Sequence, residues 1–314
     1  MRALVTGASG FAGRYLVETL RRDGADVLAC GGPRDAGGLL PLDLADGASL
    51  RAALDLARPD VVFHLAAQTF VPESFASPVA TYETNALGTA RLLHAIREYA
   101  AAGAAMPRLL FTSSAEVYGR REPGEFPLHE TLTVEPATPY AASKAAAEAI
   151  VMAEARAFGM DVVVARAFNH IGPGQSDRFV VPSLAAQLAA VASGGSPVLL
   201  VGNLNAARDF LDVRDVVAAY LALARDATSG EAYNVCSGTP VKVRDVLRDL
   251  IAIAGVAVEV REDPQRFRPL DVPVFFGSAE KLRARTGWKP SIPLAHSLHD
   301  VYTAARVQAS NSPA

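Results

Sequence analysis

Through the first half of the chain, short β-branched apolar runs alternate with longer stretches whose apolar residues recur every three or four positions. Residues 2–6 (RALVT), 26–30 (DVLAC), 60–66 (DVVFHLA), 108–113 (RLLFTS) and 161–168 (DVVVARAF) read as buried strands. Segments 12–23, 46–57, 77–101 and 138–158 read as amphipathic helices. This alternation predicts an α/β, doubly wound (Rossmann) parallel sheet with helices on both faces. Beyond about residue 169 the pattern loosens, broken at Gly172–Gly174 and again at Gly194, Gly195 and Pro197. A helix over 213–225 and a strand over 231–236 are expected to return to the main sheet. One more helix (243–254), a Pro- and Arg-containing loop (264–273) and a helical stretch (294–307) follow, and QASNSPA is expected to fray. The expected division is a dinucleotide-binding domain of 1–168 plus about 210–239, and a smaller interleaved lobe of about 169–209 plus 240–314.

Composition narrows the class. Of 314 residues, 50% are hydrophobic and 20% charged, which excludes a disordered or fibrous chain. Thirty basic residues against 33 acidic ones give a net charge of -3, with no footprint for nucleic acid or an anionic membrane. Cys30 and Cys236 fit neither a disulfide framework nor a zinc site and read as buried small hydrophobes. The longest apolar run, Val216 to Ala224, is nine residues, too short to span a bilayer. A strand-and-glycine pattern begins at once in place of a signal peptide, so a cytoplasmic location is expected.

Residues 4–13, L-V-T-G-A-S-G-F-A-G, place Gly7, Gly10 and Gly13 between the first strand and the first helix. Glycines there let the backbone turn tightly and approach a pyrophosphate, whose charge meets the helix N-terminus. The second strand ends in Cys30-Gly31-Gly32-Pro33-Arg34, without the carboxylate that binds a ribose 2′-hydroxyl. Arg34 would suit a 2′-phosphate, so NADP(H) is expected ahead of NAD(H); the alternative for Arg34 is a solvated loop charge.

Tyr140 and Lys144, in P-Y-A-A-S-K, stand four residues apart on one helix face. A phenol is a poor acid-base catalyst at neutral pH unless its pKa is shifted, and a neighbouring ammonium and a cationic nicotinamide are expected to favour the phenolate and lower it. Ser114, at the end of the strand over 108–113, would hydrogen-bond a reacting oxygen.

With T-G-A-S-G-F-A-G, H-L-A-A-Q (64–68), N-A-L-G-T (85–89), S-S-A-E-V-Y-G (113–119) and Y-A-A-S-K (140–144), the chain resembles the extended short-chain dehydrogenase/reductases. That resemblance implies catalysis on nucleotide-activated sugars and selects Ser114 over Ser113, two residues before Glu116. It implies cofactor contacts from Phe11, Ala12, Asp43, Leu44, Leu65, Ala66 and Ala67, the Asp43–Leu44 pair lying by the adenine. It also implies a homodimer through helices 77–101 and 138–158.

In the second half, Asn169 of A-R-A-F-N-H-I-G-P-G-Q resembles the family's substrate-diphosphate asparagine. Val180 and Asn203 join it as substrate-binding candidates. Arg208 and Arg268 offer planar forks to a diphosphate, and Asp271 an acceptor to a ribose hydroxyl; surface salt bridges and a loop cap are the alternatives. Segments 202–210 and 267–273 resemble those of GDP-sugar enzymes, nearer to reductases of a GDP-linked 6-deoxy-4-keto sugar than to 4,6-dehydratases. The resemblance thus implies NADPH-dependent reduction of GDP-4-dehydro-6-deoxy-D-mannose to GDP-D-rhamnose. Glu116 keeps a dehydratase open, since there it would remove the C5 proton. A nucleotide-sugar epimerase and a non-catalytic dinucleotide sensor are more remote alternatives. No metal is expected.

Overall fold

The structure is a computed structural model that describes residues 1–33, 37–267 and 272–311. Its strands are β1 (Arg2–Thr6), β2 (Asp26–Gly31), β3 (Leu40–Pro41), β4 (Val61–His64), β5 (Arg108–Ser114), β6 (Val162–Ala167) and β7 (Asn169–Ile171). Then come β8 (Val198–Val201), β9 (Ala207–Asp212), β10 (Glu231–Val235), β11 (Pro240–Lys242), β12 (Glu259–Glu262) and β13 (Val274–Phe275). The helices are α1 (Phe11–Arg22), α2 (Gly47–Ala57), α3 (Val71–Ala76), α4 (Pro78–Tyr82), α5 (Gly88–Ala101) and α6 (Pro139–Phe158). They continue with α7 (Val180–Ala192), α8 (Val213–Asp226), α9 (Val243–Ala254), α10 (Glu280–Thr286) and α11 (Leu294–Asn311).

A seven-stranded sheet runs β10, β6, β5, β4, β1, β2, β3, with every neighbouring pair parallel. Alternate residues of each strand bury on opposite faces. Val5, Phe63, Leu110 and Val163 meet α1 and α8, whereas Leu4, Val62, Leu109 and Val164 meet α2, α5 and α6. This is the doubly wound α/β fold that the alternation predicts. The strand order reverses at β1, and ligands of such sheets bind in the crevice above that switch point.

Over the strand ends, β9 pairs with β7, β11 and β13, and β8 pairs with β12. Helices α7, α9 and α11 share an apolar core with β8. Two expectations change. The helix expected over 77–101 is interrupted: Pro78 starts α4, and a π-helical turn, Glu83–Leu87, precedes α5. That turn carries Asn85 inward, where it bonds to Gln68 and Ser143. The expected fraying also begins later, because α11 runs to Asn311. Both cysteines are buried and free. No helix of the described residues is long and apolar enough to cross a membrane.

Candidate active site

A cavity of about 890 Å³ opens at the C-terminal edge of the seven-stranded sheet, between it and the elements laid over it. Its floor begins at the turn between β1 and α1. Gly7 has φ +72°, and a Cβ there would sit 2.6 Å from the Ala66 amide nitrogen. A Cβ on Gly13 would stand 2.1 Å from the Gly7 carbonyl oxygen. Only glycine permits this close approach. At the head of α1, Gly10 brings no side-chain cap and the first turn holds no carboxylate. The amide groups there stay available to an anion, and the turn fits a dinucleotide diphosphate.

The acid–base group stands on α6. Thr138 caps its first turn through Ala141 N (3.0 Å), and Pro139 occupies its first position. Tyr140 is 8% exposed and Lys144 3%. The Tyr140 hydroxyl is hydrogen-bonded to the Ser114 side chain at the end of β5. Burial first, and then the Glu116 carboxylate, push the Tyr140 pKa above the usual phenol value; the Ser114 bond works against them. Lys144, expected together with a cationic nicotinamide to lower it, does not by itself offset that rise. Lys144 Nζ donates to the Thr112 carbonyl oxygen (2.8 Å) and lies 5.1 Å from the centre of the Phe111 ring. Burial lowers its own pKa to about 7. A phenol held protonated in an apolar wall is suited to giving a proton rather than taking one.

Fully buried His64 lies behind this wall, its pKa lowered to about 3 by desolvation and then by Lys144. It remains neutral, bonded to Thr6 and Thr89.

Among the predicted residues, Gly7, Gly10, Phe11, Ala12, Gly13, Asp43, Leu44, Leu65, Ala66 and Ala67 all line the cavity. So do Ser114, Glu116, Tyr140, Lys144, Asn169 and Val180. Asp43 also closes its own loop by accepting from Ala45 N (2.8 Å). Asn203 and Arg208 do not line it: Asn203 accepts from Asn205 N (2.9 Å), and Arg208 Nη1 donates to the carbonyls of Ala207 (2.9 Å) and Val272 (2.6 Å). Arg34, Arg268 and Asp271 lie outside the described residues. Among those described, no His, Cys, Asp and Glu group could hold a metal ion.

Several wall residues escape the sequence reading. His170 lines the cavity and stacks on Phe11 with ring centres 5.8 Å apart; its place beside Asn169 in N-H-I-G was the available signal. Phe70 and Phe179, both in the cavity wall, meet edge to face at 6.0 Å, and Arg178 lies 3.8 Å over Phe70 while pairing with Glu73 (3.1 Å). Tyr220 lines the cavity from the middle of α8, hidden in an apolar run that reads as plain core.

A family profile described as GDP-mannose 4,6 dehydratase matches residues 4–301. GDP-6-deoxy-D-mannose reductase from Pseudomonas aeruginosa is 40% identical over 96% of this chain and 95% of its own. GDP-6-deoxy-D-talose 4-dehydrogenase from Aggregatibacter actinomycetemcomitans is 31% identical over 90% of each. A solved structure of RMD from Pseudomonas aeruginosa complexed with NADPH superposes with a TM-score of 0.89 and 37% identity, covering 98% of this chain and 100% of that one.

Proposed function

The chain belongs to the GDP-mannose 4,6 dehydratase family, and from that premise we propose that it reduces the C4 ketone of GDP-4-dehydro-6-deoxy-D-mannose, yielding GDP-D-rhamnose. One observation carries this reading: the buried Tyr140 phenol stands at the cavity wall hydrogen-bonded to Ser114, with Lys144 one helical turn on. The likeness to the Pseudomonas reductase over nearly its whole length supports the substrate.

NADPH, when bound, would supply the hydride. Tyr140 gives its proton to the forming C4 alkoxide, and Ser114 orients the ketone oxygen. Lys144, on the same face of α6, holds the nicotinamide ribose. The amides at the head of α1 and the close-set glycines seat the cofactor diphosphate. Glu116 hydrogen-bonds the sugar. Asn169 and Val180 meet the GDP-sugar, with Asn203, Arg208, Arg268 and Asp271 assigned to its nucleotide end. Cavity walls at Gly31, Gly32 and Pro33 present no carboxylate to a 2′-phosphate, which favours NADPH, and we assign that phosphate to Arg34. We assign cofactor binding to 1–168 plus about 210–239 and sugar binding to the remainder. The exposed Val79, Tyr82 and Leu87 support a homodimer through segments 77–101 and 138–158. A reduced dinucleotide as cofactor supports a cytoplasmic setting.

The decisive experiment offers GDP-mannose with NADP in one tube and the 4-keto sugar with NADPH in another, with products read by NMR. Stoichiometric NADPH oxidation in the second tube alone is expected, and the C4 proton coupling separates the rhamno from the talo product. Conversion of GDP-mannose without net cofactor change would instead make the chain a dehydratase with Glu116 as base. Tyr140→Phe is expected to lower turnover about 10²–10⁴-fold while NADPH still binds.

A further inference from the structure

Tyr220 is a buried phenol for which the mechanism above has no use. It is 2% exposed, and it lines the cavity from α8. Buried tyrosine hydroxyls ordinarily find a partner, and others in this molecule do. Tyr118 donates to Asn234 Oδ1 (2.7 Å), Tyr233 to Glu231 Oε2 (3.0 Å) and Tyr15 to the Pro173 carbonyl (2.9 Å), while Tyr140 is bonded to Ser114. The Tyr220 hydroxyl makes no hydrogen bond among the described residues. Its ring packs in the apolar cluster that holds Val216, Val217 and Leu223, and phenylalanine would serve that packing equally. The oxygen is what remains unexplained, and the residue that carries it lines the site.

Its position says which ligand group it serves. Helix α6 packs on one face of the sheet and α8 on the other, and both touch β5 and β6. Tyr140 and Tyr220 therefore enter one cavity from opposite faces. Tyr140 lies close enough that its ionisation would raise the Tyr220 pKa. Ser114, Glu116 and Tyr140 occupy the side where the sugar ketone reacts, which leaves the opposite wall to the nicotinamide. A neutral phenol set among aliphatic side chains is a poor seat for phosphate and a good one for an amide, to which it can both donate and accept.

We propose that the Tyr220 hydroxyl holds the carboxamide of the bound nicotinamide and so fixes which face of the ring meets the sugar. This rests on the NADPH-dependent reading given above. Tyr220 is a cofactor-binding residue in that role, acting from the side of the ring away from Tyr140.

The test is Tyr220→Phe, which removes one oxygen. NADPH is titrated against wild type and variant by nicotinamide fluorescence, and both are melted in the same buffer. The expected result is an NADPH Kd weaker by about three- to tenfold, as for one lost hydrogen bond. The melting temperature should be unchanged, and so should the KM for the keto sugar at saturating NADPH. Stereospecifically deuterated NADPH should show leakage of label transfer in the variant alone. An unchanged NADPH Kd overturns the proposal, and a raised sugar KM beside it moves the phenol to the sugar. A lower melting temperature with unchanged Kd reduces Tyr220 to packing. If wild type itself fails to bind NADPH, the functional reading fails first, and the titration reports that separately.

Discussion

Two buried hydrogen-bond networks stand behind the cavity, one neutral and one charged. The neutral network backs the cofactor wall. Ala66 N donates to Thr6 Oγ1 (3.3 Å), which donates to His64 Nδ1 (2.7 Å). His64 Nε2 donates to Thr89 Oγ1 (3.0 Å), which donates to the Asn85 carbonyl (2.6 Å). The Asn85 side chain accepts from Gln68 N (2.8 Å) and donates to the Gln68 carbonyl (2.9 Å) and Ser143 Oγ (2.8 Å). Ser143 Oγ in turn donates to the Tyr140 carbonyl (2.7 Å), so the chain ties residues 64–68 to the helix that carries the acid. The charged network backs the end of β5. Arg166 pairs with Glu148 and donates to the Tyr118 hydroxyl (3.0 Å), while Ser113 Oγ donates to Glu148 Oε2 (2.9 Å).

Both networks immobilise the wall in front of them, but they fail differently. A neutral chain that loses a member leaves one polar group unpaired, at about 1–3 kcal/mol. An ion pair that loses a member leaves a buried charge, at about 3–5 kcal/mol, although replacing both partners by apolar residues is often tolerated. Glu148→Gln should therefore produce the largest loss, about 3–5 kcal/mol by urea denaturation, and Glu148→Leu with Arg166→Met should recover most of it. A double variant no more stable than the single one would break the contrast. Thr89→Val leaves His64 Nε2–H unpaired and should cost about 1–3 kcal/mol by the same assay. A larger cost than that of Glu148→Gln would invert the ranking.

The smallest effect is a pH dependence confined to the neutral side. His64 binds its proton at about pH 3 when folded, against an ordinary 6.5. Between those values the unfolded chain holds the extra proton, so stability is present above pH 6.5 and is lost as pH falls toward 3. By pH 5.5 the loss relative to pH 7 should be about 1 kcal/mol. His64→Asn should remove that component, leaving a shallower acid limb; an identical limb would show that His64 is not forced to stay neutral.

Much of the site was legible because its chemistry is local. Gly7, Gly10 and Gly13 must lie within one turn of chain, and Tyr140 and Lys144 within one turn of helix, so spacing alone brings each set together. The electrostatics were not local. Spacing suggested that Lys144 would draw down the Tyr140 pKa, but burial and Glu116 act the other way, and Lys144 is spent on the Thr112 carbonyl. Arg208, read as a diphosphate fork, also donates to the Ala207 and Val272 carbonyls, the second 64 positions away, a contact that spacing cannot show. Tyr220 gave no sign at all, because a phenol inside V-V-A-A-Y-L-A-L-A is indistinguishable from core until the helix is docked.

From its own residues the chain determined the parallel doubly wound sheet, the glycine turn at its switch point and the Tyr-Lys pair on α6. These rest on hydrophobic periodicity and short-range backbone sterics, which act between near neighbours in sequence. Only the tertiary structure decided which groups are desolvated, which charges face one another, and that Tyr140 and Tyr220 share a cavity from opposite faces of the sheet. Solvation and Coulomb energies depend on distance through space, and residues 80 positions apart become neighbours only when the chain is folded.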